Sequence, residues 1–143
     1  MCELASGLGR VDTTGVELQE NNEPERMYPW GHEFDSNLAN TEEGRINAIC
    51  AVGCFSAGTS PYGVRDMSGN TWEWTRSHYR DYPYVPMNGR ENVKASDRIS
   101  RVVRGGSFSG GKWYARCAFR NRFFPDARDI CIGFRVVISP LRQ

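Results

Sequence analysis

Apolar positions along this chain fall into short clusters rather than runs of helix or strand length. Between 28 and 72 the clusters AICAVGCF and YGV are cut off by YPWG, GTSPYG and DMSGN, which are sets of Gly, Pro, Asn and Ser that end regular structure. The segment RDYPYVPMNGREN at 80–92 is rich in Pro, Tyr and Gly and reads as a long ordered loop. Two strands are predicted, ISRVVRGG at 99–106 and IGFRVVIS at 132–139, each with alternation or a β-branched run. Residues 1–8 read as the last turn of a helix ending at Gly7 or Gly9, and 11–26, which contains NNEPE, reads as loop. With so little regular structure, large aromatic side chains have to supply the core, and Trp30, Trp72 and Trp74 are its expected members. Gly69 and Asn70 suit a tight turn with positive φ, and Gly105 and Gly106 permit close backbone approach. Arg104 and Arg135 are expected to satisfy buried carbonyls or carboxylates.

Composition narrows the function classes. A chain of 143 residues suits one domain with a real core. Its 18 Lys and Arg against 17 acids leave it nearly neutral, which argues against a nucleic-acid partner, although ten of the 18 lie at or after Arg98. No apolar run approaches the ~20 residues of a membrane-spanning helix. The stretch CELASGLGR after Met1 shows neither the basic nor the long apolar region of a signal peptide. Cys2, Cys50, Cys54, Cys117 and Cys131 are odd in number and lack a disulfide-framework spacing. Cys50 and Cys54 form a C-x3-C pair, but neither His32 nor His78 sits at zinc-finger spacing, so free buried thiols are expected. The two histidines read as packed or surface residues.

Five segments then occur in a fixed order: YPWG at 28–31, NLAN at 37–40, SPYGVRDMSGNTWEWT at 60–75, RVVRGGSF at 101–108 and IGFRVV at 132–137. In these the chain resembles the C-terminal half of the formylglycine-generating-enzyme (sulfatase-modifying-factor) family, a branch of the C-type-lectin fold. The resemblance spans 28–137 and leaves 1–27 poorly matched. It implies a single α+β domain over 1–143 with low regular secondary structure, mostly loops with short antiparallel strands.

The family also implies chemistry. Its calcium loop matches DMSGNTWE, which assigns carboxylates to Asp66 and Glu73 and backbone carbonyls to Gly69 and Thr71, an all-oxygen set suited to Ca2+. A second family site would use Asn40, Thr41 and a downstream acid, but Gly44 stands at the acid's position with Glu43 beside it. The family's oxidases bind copper(I) through two cysteines just after RGGS, since soft thiolates suit that ion. Here Phe108, Ser109, Gly110, Gly111, Lys112 and Trp113 follow Ser107, so no copper is expected and the chain reads as lacking the oxidase activity.

A second branch of this fold, the variable proteins of diversity-generating retroelements, accounts for the ill-assorted runs between 104 and 135. There, adenines in Asn-type AAY codons are mutated during copying from a template. Such codons can yield Phe, Ser, Tyr, Gly, Ala, Asp, Ile or Cys, but never Trp, Met, Lys, Glu or Gln. Phe108, Ser109, Gly110, Gly111, Tyr114, Phe123, Phe124, Ala127, Asp129, Ile130 and Cys131 all belong to the permitted set. The intervening RGGS, KW, RCAFR, PD and IGFRVV read as fixed frame. The resemblance therefore implies a receptor-like protein that binds a ligand, most naturally another protein, through these eleven positions. Phe108, Tyr114, Phe123 and Phe124 would supply aromatic area, and Arg116, Arg120 and Arg122 charged hydrogen bonds nearby. Variable proteins of this type are displayed on a phage particle or cell surface, an address nothing here encodes. Two other readings stand beside this one: a formylglycine-generating oxidoreductase, and an inactive paralogue in which FF and IC are ordinary core residues.

Overall fold

The computed structural model describes residues 25–85 and 87–137. The helical turn expected at 1–8, most of the polar loop at 11–26, Cys2 and the last two residues of the strand expected at 132–139 lie outside the described residues.

Regular structure is sparse, as the punctuated sequence requires. Two 3-10 turns, Glu42–Gly44 and Ser56–Gly58, precede four strands: β1 (Trp72–His78), β2 (Arg101–Arg104), β3 (Asn121–Phe123) and β4 (Ile132–Gly133). They form one sheet in the order β3-β2-β1-β4. β2 carries the adjacent β-branched pair Val102 and Val103, and both are buried, as befits an inner strand with two covered faces. It pairs antiparallel with β1 (Trp74 opposite Val103) and with β3 (Val103 opposite Asn121). A register shift between Trp74 and His78 marks an irregularity in β1.

Three expectations need correction. The sheet is mixed, because β4 runs parallel to β1, with Trp72 opposite Ile132. The expected strand at 132–139 pairs only at Ile132 and Gly133: Arg135 turns inward to Glu73, and its neighbours Phe134, Val136 and Val137 are exposed. Of the three tryptophans assigned to the core, Trp72 is buried while Trp30 and Trp74 are half-buried. Trp30 stacks on buried Tyr28 at 5.3 Å between ring centroids, and Trp74 meets Phe123 edge-on at 6.4 Å.

The loops that replace helices are fixed by backbone hydrogen bonds. Gly69 N–H donates to the Gly105 carbonyl (2.7 Å), Asn70 N–H to the Asn40 carbonyl (2.8 Å) and Phe108 N–H to the Asn70 carbonyl (3.0 Å). Gly69 and Asn70 take φ of 80° and 65°, the tight turn expected of them. A Cβ at Gly69 would lie 2.4 Å from the Asn40 carbonyl oxygen, so only glycine allows these segments to meet. Among the described residues no helix is long and apolar enough to cross a membrane.

Candidate functional site

The stretch 104–135 is laid on this frame by its fixed residues. The Arg104 guanidinium donates to the carbonyls of Cys117 (2.8 Å), Phe119 (3.2 Å) and Ala118 (3.3 Å), gathering the segment beneath it. Gly106 has φ 76°, and a Cβ there would meet the Ala115 backbone at 3.0 Å. Ser68 Oγ donates to the Ala115 carbonyl at 2.7 Å, and Ser107 is buried. The Glu42–Gly44 turn pins the other side. Glu42 N–H donates to the Gly110 carbonyl, and Lys112 N–H donates to Glu43 Oε1 at 2.7 Å. Burial alone would raise the Glu43 carboxyl, but the Lys112 N–H and the Thr41 hydroxyl it accepts outweigh that and hold its pKa below the ordinary value.

The eleven interspersed positions divide by environment. Phe108 is only 6% exposed and packs in the core, which removes it from the aromatic contact area expected of it. Tyr114, Phe124 and Ile130 are 45%, 55% and 76% exposed, and Ser109 and Asp129 are also exposed. Gly110, Gly111, Phe123, Ala127 and Cys131 are half-buried. FF and IC are therefore not uniformly core residues.

These positions form two groups. Near the RGGS loop, Tyr114 leans its inner edge on Trp72 (6.2 Å) and Phe119 (5.0 Å), and a Cβ at Gly110 would touch the Tyr114 ring. Cys131 joins this group with its thiol near the Ser107 and Ser109 hydroxyls, while its carbonyl accepts the Trp72 N–H at 2.7 Å. Burial pushes the Cys131 thiol up, and its contact with the Asp129 carboxylate adds to this. The hydrogen bonds from the Cys131 thiol and N–H hold the Asp129 carboxyl below its usual value. Phe123 and Phe124 lie at the far side, in and just after the outer strand β3. The connection 124–131 therefore runs from one edge strand of the sheet to the other, three inter-strand spacings or about 14 Å apart.

Sequence reasoning placed Trp113 in the frame, yet it is exposed and flanked by Lys112 and Arg116 at 5.5 and 5.4 Å from its ring. An aromatic ring between two cations in KWYAR was the signal available for it. Of the other two arginines expected near the surface, Arg120 stacks on Tyr79 and Tyr82, and Arg122 on Tyr79. Cys50, Cys117 and Cys131 are only half-buried and Cys54 is exposed, which corrects the expectation of buried thiols.

The two carboxylates expected to hold calcium have protein partners. Both Glu73 oxygens accept from Arg135, at 2.5 Å each, and Arg135 also donates to the Asp66 carbonyl at 2.6 Å. The Glu73 hydrogen bonds raise the Arg135 pKa further. Asp66 Oδ2 accepts the Gly53 N–H at 2.7 Å. As arranged, a calcium ion would have to take Glu73 from the guanidinium that neutralises it. In the second set, Thr41 Oγ1 donates to Glu43, while Asn40 Oδ1 is buried without a partner. Among the described residues no three His, Cys, Asp or Glu side chains are grouped to hold a metal.

The family described as sulfatase-modifying factor enzyme 1-like domain matches residues 3–140. The hercynine oxygenase of Mycobacterium tuberculosis is 36% identical over 113 residues, which cover 78% of this chain and 27% of that protein. The inactive C-alpha-formylglycine-generating enzyme 2 of Bos taurus is 29% identical over 125 residues, covering 77% and 36%. The chain thus spans roughly a sixth to a third of the curated relatives it matches. Among solved structures, Treponema denticola variable protein 1 superposes with a TM-score of 0.55 at 24% identity, over 69% of this chain and 35% of that one. That likeness is one of fold, and it confirms the low-regularity α+β architecture.

Proposed function

Because the chain belongs to the sulfatase-modifying factor enzyme 1-like domain family, which includes enzymes and an inactive member, we propose that it is a ligand-binding, receptor-like member: the variable protein of a diversity-generating retroelement. The observation that carries this reading is the exposure of Tyr114, Phe124 and Ile130 beside frame residues that are buried or hydrogen-bonded, Arg104, Ser107 and Ala115 among them. Large apolar side chains displayed on a fixed frame are how adaptable binding surfaces are built. The aromatic and arginine content suits a protein ligand. The shared fold with a variable protein supports the same reading.

Sequencing the 3′ end of the gene across its source population tests it. Substitutions confined to codons 108–111, 114, 123–124, 127 and 129–131, matching adenines in a nearby template repeat, are expected. Uniform sequence at those codons with no repeat would overturn the proposal.

One observation favours a second reading, an oxidoreductase related to the family's enzymes. Cys131 places a thiol against Ser107 and Ser109, in the loop region where the sequence itself offers no cysteine. Copper(I) binding that is lost in Cys131→Ser or Cys117→Ser would favour this reading over the receptor. Unchanged binding in both variants would remove it.

A further inference from the structure

A pocket of about 320 Å³ lies apart from the eleven interspersed positions, none of which lines it. It rests on β1 and β2 and is bordered by Tyr82, Tyr84, Arg90 and Glu91. The residues that decide its chemistry are His78, Arg90, Arg104, Arg120 and Glu91. Its size falls at the lower end of small-ligand sites, about 300–1,000 Å³.

The charges in this pocket are unbalanced. Arg90 is 2% exposed, yet its guanidinium is met only by the Asp81 carbonyl (3.1 Å), the Asn88 side-chain oxygen (3.3 Å) and the face of Tyr84 (4.7 Å). Arg104 is held by carbonyls, and Arg120 by the Arg80 carbonyl (2.9 Å) and the faces of Tyr79 and Tyr82. The ion pair found among the described residues is Arg135 with Glu73, and none of these three arginines shares it. A buried cation supported by dipoles and rings alone is stabilised by an anion brought beside it.

The one carboxylate in the wall is half used. Glu91 Oε1 accepts from the Ser77 hydroxyl (2.5 Å) and the Tyr84 hydroxyl (3.1 Å), while Oε2 has no protein partner. That oxygen is open to a donor. An ammonium donor would sit among three guanidinium groups, whereas a hydroxyl would not be repelled by them. His78 adds an unsatisfied atom to the same wall. Its Nε2 lies 3.0 Å from the Asn92 carbonyl, which can only accept, so Nε2 carries a proton, and the buried Nδ1 has no hydrogen-bond partner.

We propose that this pocket binds a small hydroxylated oxyanion, a hydroxycarboxylate or a sugar phosphate. The anion lies on Arg90, Arg104 and Arg120, and a hydroxyl donates to Glu91 Oε2. None of the eleven interspersed positions lines this site, so either assignment can fail without the other.

The test is titration of the full chain with ribose 5-phosphate, D-gluconate and neutral ribose at low ionic strength. Binding is read by calorimetry and by the imidazole 15N resonances of His78. At least one of the two oxyanions should bind with a Kd on the order of 1 mM or tighter and move the His78 signals, and ribose should do neither. Which of the two binds identifies the anion as phosphate or carboxylate. Arg120→Ala, chosen because Arg120 is only partly buried and the fold can be checked by circular dichroism, should weaken binding by at least tenfold. Arg120→Lys should fall between that variant and the native chain. No heat and no His78 shift with either oxyanion, or native affinity in a folded Arg120→Ala, would overturn the proposal.

Discussion

Replacing Phe108 and Phe124 by alanine, one at a time, separates frame from displayed surface within a single run of sequence. A phenylalanine side chain offers roughly 200 Å² to burial. At 6% exposure Phe108 removes nearly all of that from water, an upper bound of about 5 kcal/mol at ~25 cal/mol/Å². Measured Phe→Ala losses in cores, about 3–5 kcal/mol including the cavity, agree with this. Phe124 is 55% exposed, so less than half of the area is at stake, and no closed cavity forms when it is truncated. Its loss should be about 1–2 kcal/mol at most. For a chain of this length 1 kcal/mol shifts the melting temperature by about 2–4 °C. Phe108→Ala should therefore melt about 10 °C or more below the native chain, and Phe124→Ala only a few degrees below it.

Calorimetric melting and urea midpoints measure both. If Phe108→Ala does not accumulate, Phe108→Leu, expected to lose roughly 1–2 kcal/mol, provides the comparison. Affinity for a ligand selected against the native chain should move the other way, with Phe124→Ala the more damaging. Stability losses within 1 kcal/mol of each other would refute the division. If the division holds, variation at codon 108 is confined to large apolar types even where the codon permits others.

Three further outcomes follow from the frame. The folded-state pKa of Glu43 is depressed, so its contribution to stability is present above its unfolded value and is lost as pH falls through the lower folded one. Glu43→Gln should flatten the acid side of the urea-midpoint profile between neutral pH and about pH 3, and an unchanged profile would contradict this. Iodoacetamide should label exposed Cys54 well before Cys131, whose thiol burial pushes up, as followed by peptide mass spectrometry; equal rates would show Cys131 to be open. Millimolar Ca2+ should leave the melting temperature unchanged, because Arg135 holds both oxygens of Glu73. A rise of several degrees, such as the ~2.7 kcal/mol gained at a hundredfold excess over Kd would bring, would show that the ion displaces the guanidinium.

The features legible in the sequence are those encoded in single residues. Gly69, Asn70, Gly105 and Gly106 take the positive φ that their types permit, and Arg104 and Arg135 find the carbonyls and carboxylate that their five donors require. Family and fold class were legible from ordered motifs. What depends on the path of the chain was not. β1 was hidden because Glu73 stands between Trp72 and Trp74, and it is accommodated by Arg135, an inward partner that appears only after folding. The parallel pairing of β4 depends on where the 124–131 connection returns, which no local pattern records. Phe108 and Phe124 are the same residue type and differ only in what lies above them. Trp113, expected in the frame, is exposed for the same reason.

The route of that connection also limits what kind of ligand can use the whole surface. Phe124 follows β3 and Ile130 precedes β4, the two edge strands of the sheet, about 14 Å apart across it. A small molecule cannot fill that span, whereas a protein face burying ~800 Å² per partner covers it. Side chains more than about 7–10 Å apart with no shared partner lose binding energy independently, to within about 0.5 kcal/mol. Each of Phe124→Ala and Ile130→Ala should weaken binding about 5- to 30-fold, as truncated apolar anchors do, and the double variant should weaken it by the product of the two factors. Calorimetric titration of the four proteins with one selected ligand closes this cycle. If the double variant is no weaker than the worse of the singles, the ligand rests on one edge of the sheet, and the reading of 104–135 as a single binding surface fails.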